Sequence, residues 1–585
     1  MTRPHTPRLL CTLVASAMLA ACSQPTSHIP TGASTQQRAA SNAPAPAHTD
    51  ASTTTDAIRT SIAQAEPAMP AVLLRQPSGI AKSAPSPHIY PNSDQENYAR
   101  YQDNPVIAAQ EQPVSTFSVD VDTGSYTNVR RLLNLGQLPP AAAVRAEEFI
   151  NYFDYHYAAP TNKNRPFTIA TEVAAAPWNP DRQLLKIGIQ GYQVAPADIP
   201  AANLVFLIDT SGSMDSPNKL PLLKAALNQL VTQLRPQDRV AIVTYAGSAS
   251  MALDSTPGNQ PEQIRAAIDG LRASGSTNGE EGLALAYSQA AKSFVKGGVN
   301  RILLISDGDF NVGTTDLEAL KEKITRQRES GIALTTLGVG SGNFNDALAM
   351  QLADVGNGSY HYLDSLQEAR KVLTTELSST LLTIARDVKI QVEFNPATVA
   401  EYRLIGYEKR ALAREDFNND RVDAGEIGAG ANVTALYEIT PVGTSDTRLT
   451  PLRYGKATTA VAPKPATAQS SQELAFVRVR YKLPNSTDSK LIEQAVTPNQ
   501  IKAASAPHDT SAETGKAFGS TNMRRAAAAA AFAQWLRGGK YLDGYRPAQI
   551  AALARGARGD DPQGLNTELA TLIELAASLG TPAVQ

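Results

Sequence analysis

One group of residues in this sequence has types and spacing suited to chemistry. An apolar run, 204–208, ends in Asp209-Thr210-Ser211-Gly212-Ser213, and a second, 302–306, ends in Asp307-Gly308. Between them lies Gly275-Ser276-Thr277-Asn278-Gly279, a loop opening a helix from about Glu280. In an open doubly wound sheet, ligands bind beyond the carboxyl ends of the strands, where strand order reverses, and the first and fourth strands flank that reversal. Asp209 and Asp307 therefore converge, and the loop can deliver a hydroxyl to the same crevice. Two carboxylates and three hydroxyls, without sulfur or imidazole, make a hard donor set. It suits Mg²⁺, Mn²⁺ or Ca²⁺ and disfavours zinc or copper. The competing structural reading makes the aspartates helix caps and the serines turn residues.

The elements that must position these residues follow from periodicity. Between 203 and about 385, apolar strands (204–208, 240–245, 302–306, 333–337, 360–363) alternate with amphipathic helices. The first helix puts Leu220, Leu223, Leu227, Leu230, Val231 and Leu234 on one face, the 3.6-residue period of a helix packed on a sheet. Such alternation implies an α/β fold with a doubly wound, mostly parallel sheet covered on both faces. The block before it reads as α+β. Residues 117–121 alternate like a strand, Ser125 can cap a helix to about Leu135 stopped by Gly136, and Pro140 can open another through Phe153. Strands 167–173 and 184–190 are joined across the turn signal Asn179-Pro180-Asp181. After Arg386, strands 388–394, 402–407, 433–440 and 476–482 predict a β-sandwich of about seven strands. If it draws in the pair at 167–190, the α/β domain is inserted into it. The tail from Lys516 reads as helical, with an alanine run at 526–531 and a face of Ile550, Leu553, Leu569, Leu572, Ile573 and Leu579.

At the start, Arg3 and Arg8 precede an apolar stretch, 9–21, that is too short to span a bilayer and ends in Leu19-Ala20-Ala21-Cys22. This segment resembles a secretory leader closed by the lipobox of bacterial lipoproteins, which implies acylation of Cys22 and removal of what precedes it. Ser23 follows, where an aspartate would imply inner-membrane retention, so the outer membrane is favoured. Residues 23–88 are rich in Ala, Ser, Thr, Pro and Gln and read as a disordered tether. About 65 flexible residues would reach about 40–50 Å. The expected organisation is therefore a signal peptide (1–22), the tether (23–88), an N-terminal α+β segment (89–200), the α/β domain (201–385), a β-sandwich-like domain (386–500) and a helical C-terminal segment (501–585).

Counts exclude several functions. Lys plus Arg number 53 and Asp plus Glu 55, so the net charge of -2 offers no general attraction for nucleic acid. The only cysteines are Cys11 and Cys22, and the seven histidines show no zinc-ligand spacing. No G-x-S-x-G elbow and no phosphate-binding glycine motif occurs, so neither a serine-hydrolase elbow nor a nucleotide site is expected.

The series Asp209-x-Ser211-x-Ser213, Thr277 and Ser306-Asp307-Gly308 resembles the metal-ion-dependent adhesion site of von Willebrand factor type A domains. That resemblance implies that Ser211, Ser213 and Thr277 touch the metal or its waters, and that Asp209 and Asp307 hold it directly or through water. Mg²⁺ is the first expectation. It also implies an open coordination position for a carboxylate from a protein partner, with no catalysis. Asp215 and Asn218 after the first loop, and Asp309, Phe310 and Asn311 after the third, would form the rim around that carboxylate. The segments 117–126, 306–313 and 414–420 extend the resemblance to bacterial lipoproteins with a central domain of this type. The expected function is a lipid-anchored envelope protein that binds a protein partner through a divalent cation. The alternative is an accessory or scaffold subunit with a vestigial metal site.

Three features compete. Asp122-Thr123-Gly124-Ser125 matches the aspartic protease signature, but that chemistry needs a second such aspartate, and the chain holds no other Asp-Thr-Gly or Asp-Ser-Gly. Asp416-x-Asn418-x-Asp420 opens like a calcium loop but lacks its glycine and closing glutamate. Arg524-Arg525 reads as a solvated helix end, and Trp178 and Trp535 as core or interface aromatics.

Overall fold

The computed structural model describes residues 96–582 apart from 120, 163, 309–316, 377–378, 380, 451, 454–471, 485 and 499–518. The expected leader, Cys22 and the tether lie outside the described residues. Chain order begins with strands β1 (Ile107–Ala108) and β2 (Val114–Ser118), helices α1 (Gly124–Asn134) and α2 (Ala146–Asn151), and strands β3 (Phe167–Ala176) and β4 (Asn179–Gly191). The α/β domain follows. Its strands are β5 (Ala202–Asp209), β6 (Arg239–Tyr245), β7 (Ala249–Pro257), β8 (Val299–Ser306), β9 (Ala333–Val339) and β10 (Tyr360–Leu363). Its helices are α3 (Leu220–Val231), α4 (Pro261–Gly270), α5 (Gly279–Lys292), α6 (Leu317–Glu329), α7 (Asp346–Val355) and α8 (Leu366–Arg370). Then come β11 (Thr383–Phe394), β12 (Val399–Ile405), β13 (Gly425–Gly428), β14 (Asn432–Pro441), β15 (Ala475–Lys482) and β16 (Ser489–Val496), and helices α9 (Thr521–Leu536), α10 (Pro547–Gly556) and α11 (Leu565–Leu579).

The α/β sheet has the order β10-β9-β8-β5-β6-β7. All pairs are parallel except β6 with β7, which run antiparallel at one edge. Strand alternation divides its core into two layers. Leu204, Phe206 and Ile208 face the side of α3, whereas Val205 and Leu207 face Leu283 and Ala286 of α5. Burial on both faces is why β5 reads as a continuous apolar run. Strict alternation of strand and helix fails at β6–β7, which form a hairpin. The outer strand β7 is half exposed, so its sequence carries too little apolar pattern to announce a strand.

The sandwich is assembled from both sides of the inserted domain. One sheet has the order β1-β12-β14-β4-β3, and the other β13-β11-β15-β16, with β2 also paired to β11. Val388, Ile390, Val392 and Phe394 of β11 meet Leu185, Ile187 and Ile189 of β4 in the shared core. The turn between β3 and β4 falls at Pro177-Trp178, ahead of the Asn-Pro-Asp signal, because Trp178 is buried and its Nε1 donates to Glu438 at 2.5 Å. The outer face of the β14–β4 sheet carries a third layer of helices. Ala526–Ala531 of α9 are buried there with Leu184, Leu436, Ile550, Leu569 and Ile573. Alanine lets backbones approach closely and loses no side-chain entropy on burial.

Two local expectations are corrected. Ser125 lies inside α1, and its Oγ donates to the Ala143 carbonyl at 2.7 Å, tying α1 to a 3-10 turn where a full helix from Pro140 was expected. Arg525 is buried, donating to the carbonyls of Asp154, Ala557 and Arg558, so it joins the helical layer to its neighbours and is no solvated end.

Two buried arginines clamp the inserted domain to the α1–α2 block. Arg145 grips Asp346 of α7 with both terminal nitrogens, at 2.7 and 3.0 Å, and also binds Glu148. Burial alone would lower the Arg145 pKa, but Asp346 and Glu148 outweigh it and raise it well above its ordinary value. Arg130 grips Asp364 at 2.6 Å through two nitrogens and reaches Glu368 and Glu568 at 3.0 Å.

Candidate metal centre

The adjacency of β5 and β8 places Asp209 and Asp307 side by side at the carboxyl ends of neighbouring parallel strands, where strand order reverses. Both are fully buried. The chain leaves β5 through a tight turn in which the Ser211 amide donates to Asp209 Oδ1 at 2.8 Å. The hydroxyls of Ser211 and Ser213 lie 3.1 Å apart, and Ser213 Oγ donates to Asp307 Oδ2 at 2.6 Å. The loop carrying Thr277 is pinned to this turn by Ser274 N to Thr210 O at 2.7 Å and Gly212 N to Gly275 O at 3.0 Å. Thr277 is half buried at the start of α5. The four residues Asp209, Ser211, Ser213 and Asp307 are thus linked directly, and Thr277 is held nearby through its backbone.

Gly308 closes the third segment. Its φ is +106°, and a Cβ there would lie 2.3 Å from the Phe344 Cα, so only glycine fits. Its amide donates to Ser306 Oγ at 3.1 Å, which fixes the exit from β8.

Electrostatically the two aspartates differ. Burial pushes the Asp209 carboxyl up to about 6; the Ser211 hydrogen bonds oppose that shift and the Asp307 charge adds to it. Asp209 Oδ2 is buried without a hydrogen-bond partner of good geometry. Asp307 instead accepts from Lys219 Nζ at 2.7 Å, and the lysine is itself buried. The stem of Lys219 lies over Gly340, where any Cβ would sit 2.3 Å from its Cε. Lys219 was not singled out by sequence reasoning. Nothing in its spacing distinguishes it from a surface lysine at the start of an amphipathic helix.

Among the described residues, no cluster of three or more His, Cys, Asp or Glu side chains lies within metal-binding range. The crevice is instead built from two carboxylates and hydroxyls, oxygen donors that fit a hard divalent cation. The buried lone pairs of Asp209 Oδ2 are the unmet demand that such a cation would satisfy. Of the rim residues, Asp215 and Asn218 are exposed beside the first loop, while Asp309, Phe310 and Asn311 lie outside the described residues.

The competing motifs are occupied by structural contacts. Asp122 accepts from the Tyr360 amide at 2.8 Å and from Lys409 Nζ at 2.9 Å, and Thr123 Oγ1 lies 3.1 Å from His361 Nδ1. In the calcium-like loop, Lys389 Nζ donates to the carbonyls of Asp416 and Asn419, and Asp420 pairs with Arg480.

Comparison with known proteins adds to this geometry. The model of the von Willebrand factor type A domain matches residues 203–375, and the model described as "Uncharacterized protein YfbK, C-terminal" matches 379–579. A further von Willebrand factor model matches 92–186. YfbK of Escherichia coli (strain K12) is 48% identical over 502 residues, covering 85% of this chain and 83% of its own length. Inter-alpha-trypsin inhibitor heavy chain H3 of Mesocricetus auratus is 24% identical over 43% of this chain and 30% of its own. A solved von Willebrand factor type A protein from Catenulispora acidiphila aligns with 74% of this chain and 99% of its own at 13% identity and a TM-score of 0.36.

Proposed function

Because the chain belongs to the YfbK family and carries that family's von Willebrand factor type A domain, we propose that it binds a protein partner through a divalent cation held by Asp209, Ser211, Ser213, Thr277 and Asp307. The protein performs no catalysis. It is anchored through an acylated Cys22 in the outer membrane and carries its folded part on the tether 23–88. The observation that carries the reading is the pairing of two fully buried aspartates at the strand-order reversal, with Asp209 Oδ2 lacking a hydrogen bond of good geometry and the Tyr245 hydroxyl as its neighbour. When bound, the cation supplies a Lewis-acidic centre with room for one more oxygen ligand. Ser211 and Ser213 orient the two carboxylates towards it through their mutual contact and the bond to Asp307. A carboxylate from the partner fits that vacancy by charge, and Asp215, Asn218, Asp309, Phe310 and Asn311 set which partner can approach. Mg²⁺ is the expected ion, with Mn²⁺ or Ca²⁺ meeting the same donors.

The ion pair of Lys219 with Asp307 favours a second reading, an accessory subunit whose metal site is vestigial, because a buried ammonium already neutralises one carboxylate. Proximity labelling from the intact lipoprotein, with and without EDTA, separates the two. Partner capture abolished by EDTA and by Asp209→Ala supports the metal-dependent reading. Capture insensitive to both overturns it. Palmitate labelling that survives Cys22→Ser would remove the anchor.

A further inference from the structure

At the opposite end of the α/β sheet from the metal crevice, a cavity of about 440 Å³ opens where the inserted domain meets the sandwich. Its walls come from Arg301 near the start of β8, Thr325 and Arg328 of α6, the end of α7 and the 357–359 turn on one side, and from β2, β13 and the 409–412 loop on the other. The cavity is polar and charged, and most of its charges are matched. Arg328 pairs with Asp423 at 2.6 Å, Lys409 with Asp122 at 2.9 Å, and Arg410 with Asp354.

Arg301 is the exception. It stands near the start of β8, is only 4% exposed, and lines the cavity. A guanidinium carries five N–H donors. Among the described residues Arg301 makes one hydrogen bond, Nη1 to Thr335 Oγ1 at 2.7 Å, and its Nε is buried with no partner. The carboxylate that acts on it electrostatically, Glu426, is engaged by neutral donors instead: Asn357 at Oε1 and Thr383 at Oε2, each at 2.8 Å. A buried cation whose neighbouring carboxylate is hydrogen-bonded to other groups is costly.

We propose that this cavity is a binding site for a small oxyanion, a carboxylate or phosphate group on a compact polar molecule, with the Arg301 guanidinium as its anchor. The planar fork matches two oxygens of such a group at once, which an ammonium could not do. The volume is that of a small-molecule site and is enough for several waters, so ordered water is the rival occupant. Burial supports the assignment by pushing Glu426 up to about 7, which lessens the local negative charge at neutral pH. Because the walls belong to both parts of the molecule, an occupant would bridge the inserted domain and the sandwich.

The test is calorimetric titration of the full chain in detergent with EDTA present, using inorganic phosphate and acetate as probes against chloride at constant ionic strength. Saturable binding of either probe is expected, and which one binds identifies the oxyanion. Arg301→Met should weaken it at least tenfold. Arg301→Lys, which keeps the charge but loses the fork, should weaken it severalfold, and Glu426→Gln should tighten it. If neither probe saturates the wild-type chain, water fills the cavity and the proposal falls. It falls equally if Arg301→Met binds as the wild type does or, should that variant fail to fold, if Arg301→Lys does.

Discussion

The Arg145 clamp and the Asp209–Asp307 crevice both bury two carboxylates completely, yet they treat them in opposite ways. At the clamp, Glu148 Oε2 accepts from the Ser125 amide and Oε1 from Arg145, while Asp346 accepts from Arg145 at both oxygens and from the Tyr360 hydroxyl. At the crevice, Asp307 is paired with Lys219, but Asp209 Oδ2 is buried without a hydrogen bond of good geometry. Burial of acid groups therefore does not mark function in this protein. The distinguishing feature is how completely the oxygens are satisfied, which is full at the clamp and incomplete at Asp209 Oδ2.

The largest effect that would sharpen this contrast is at the clamp. Asp346→Ala leaves the fully buried Arg145 guanidinium with Glu148 alone of its two carboxylate partners and should lower unfolding free energy by about 3 kcal/mol in urea titrations. A loss below about 1 kcal/mol would show that the clamp, too, tolerates an incompletely satisfied charge.

At the crevice the expected sign depends on the ion. With Mg²⁺ at about a hundred times its Kd, the wild type should gain about 2.7 kcal/mol, seen as a rise in Tm, and Asp209→Ala should gain nothing. Without metal, the same variant removes a poorly satisfied carboxylate and should cost little. Asp307→Ala should destabilise the metal-free protein, because it leaves the buried Lys219 alone. Equal Mg²⁺ shifts in wild type and Asp209→Ala would break the comparison.

Glu426 offers an intermediate case, half-buried and hydrogen-bonded, among the described residues, by the neutral donors Asn357 and Thr383. Its pKa is raised by burial from 4.5 in the unfolded chain to about 7 in the folded one. The folded state therefore holds the proton more tightly. That contribution is complete below about pH 4.5 and is lost as pH rises to about 7, with a slope of at most about 1.4 kcal/mol per pH unit. Glu426→Gln should flatten the stability profile in this window; an unchanged slope would assign it to another group.

The smallest effect belongs to Ser213. Replacing it with alanine removes one partly exposed hydrogen bond and should cost the metal-free protein about 1 kcal/mol, while cutting the Mg²⁺ shift. An intact shift in calorimetry would take Ser213 out of the ligand set.

What could be read from the chain depended on how local the cause was. Asp209, Ser211 and Ser213 lie within one turn, so their spacing alone predicts convergence, and the apolar runs of β5 and β8 announce buried parallel strands. Lys219, Arg145 and Arg301 gave no such signal, since their significance rests on partners brought together only by the fold. Arg525 was misjudged for the same reason. Edge strands escaped notice where one face is solvated: β16 mixes exposed and half-buried residues without regular alternation and fully buries Val496 alone, so its pattern is diluted. Ser125 had the composition of a cap, but the block packs so closely that its hydroxyl was taken by Ala143 instead.

The insertion of the α/β domain into the sandwich also sets a timetable. Strand β4 finds one neighbour at once in β3, but its other, β14, pairs Asn432 with Gln190 and follows the whole inserted domain in chain order. The inner domain, whose contacting elements are close in sequence, can complete its own local contacts before that pairing forms. The β3–β4 hairpin meanwhile presents an open hydrogen-bonding edge, a template for unwanted strand pairing. During biogenesis the vulnerable species is therefore a half-made sandwich waiting on either side of a finished guest. A chaperone that shields this chain should recognise the edge of β4 and release it when β14 arrives.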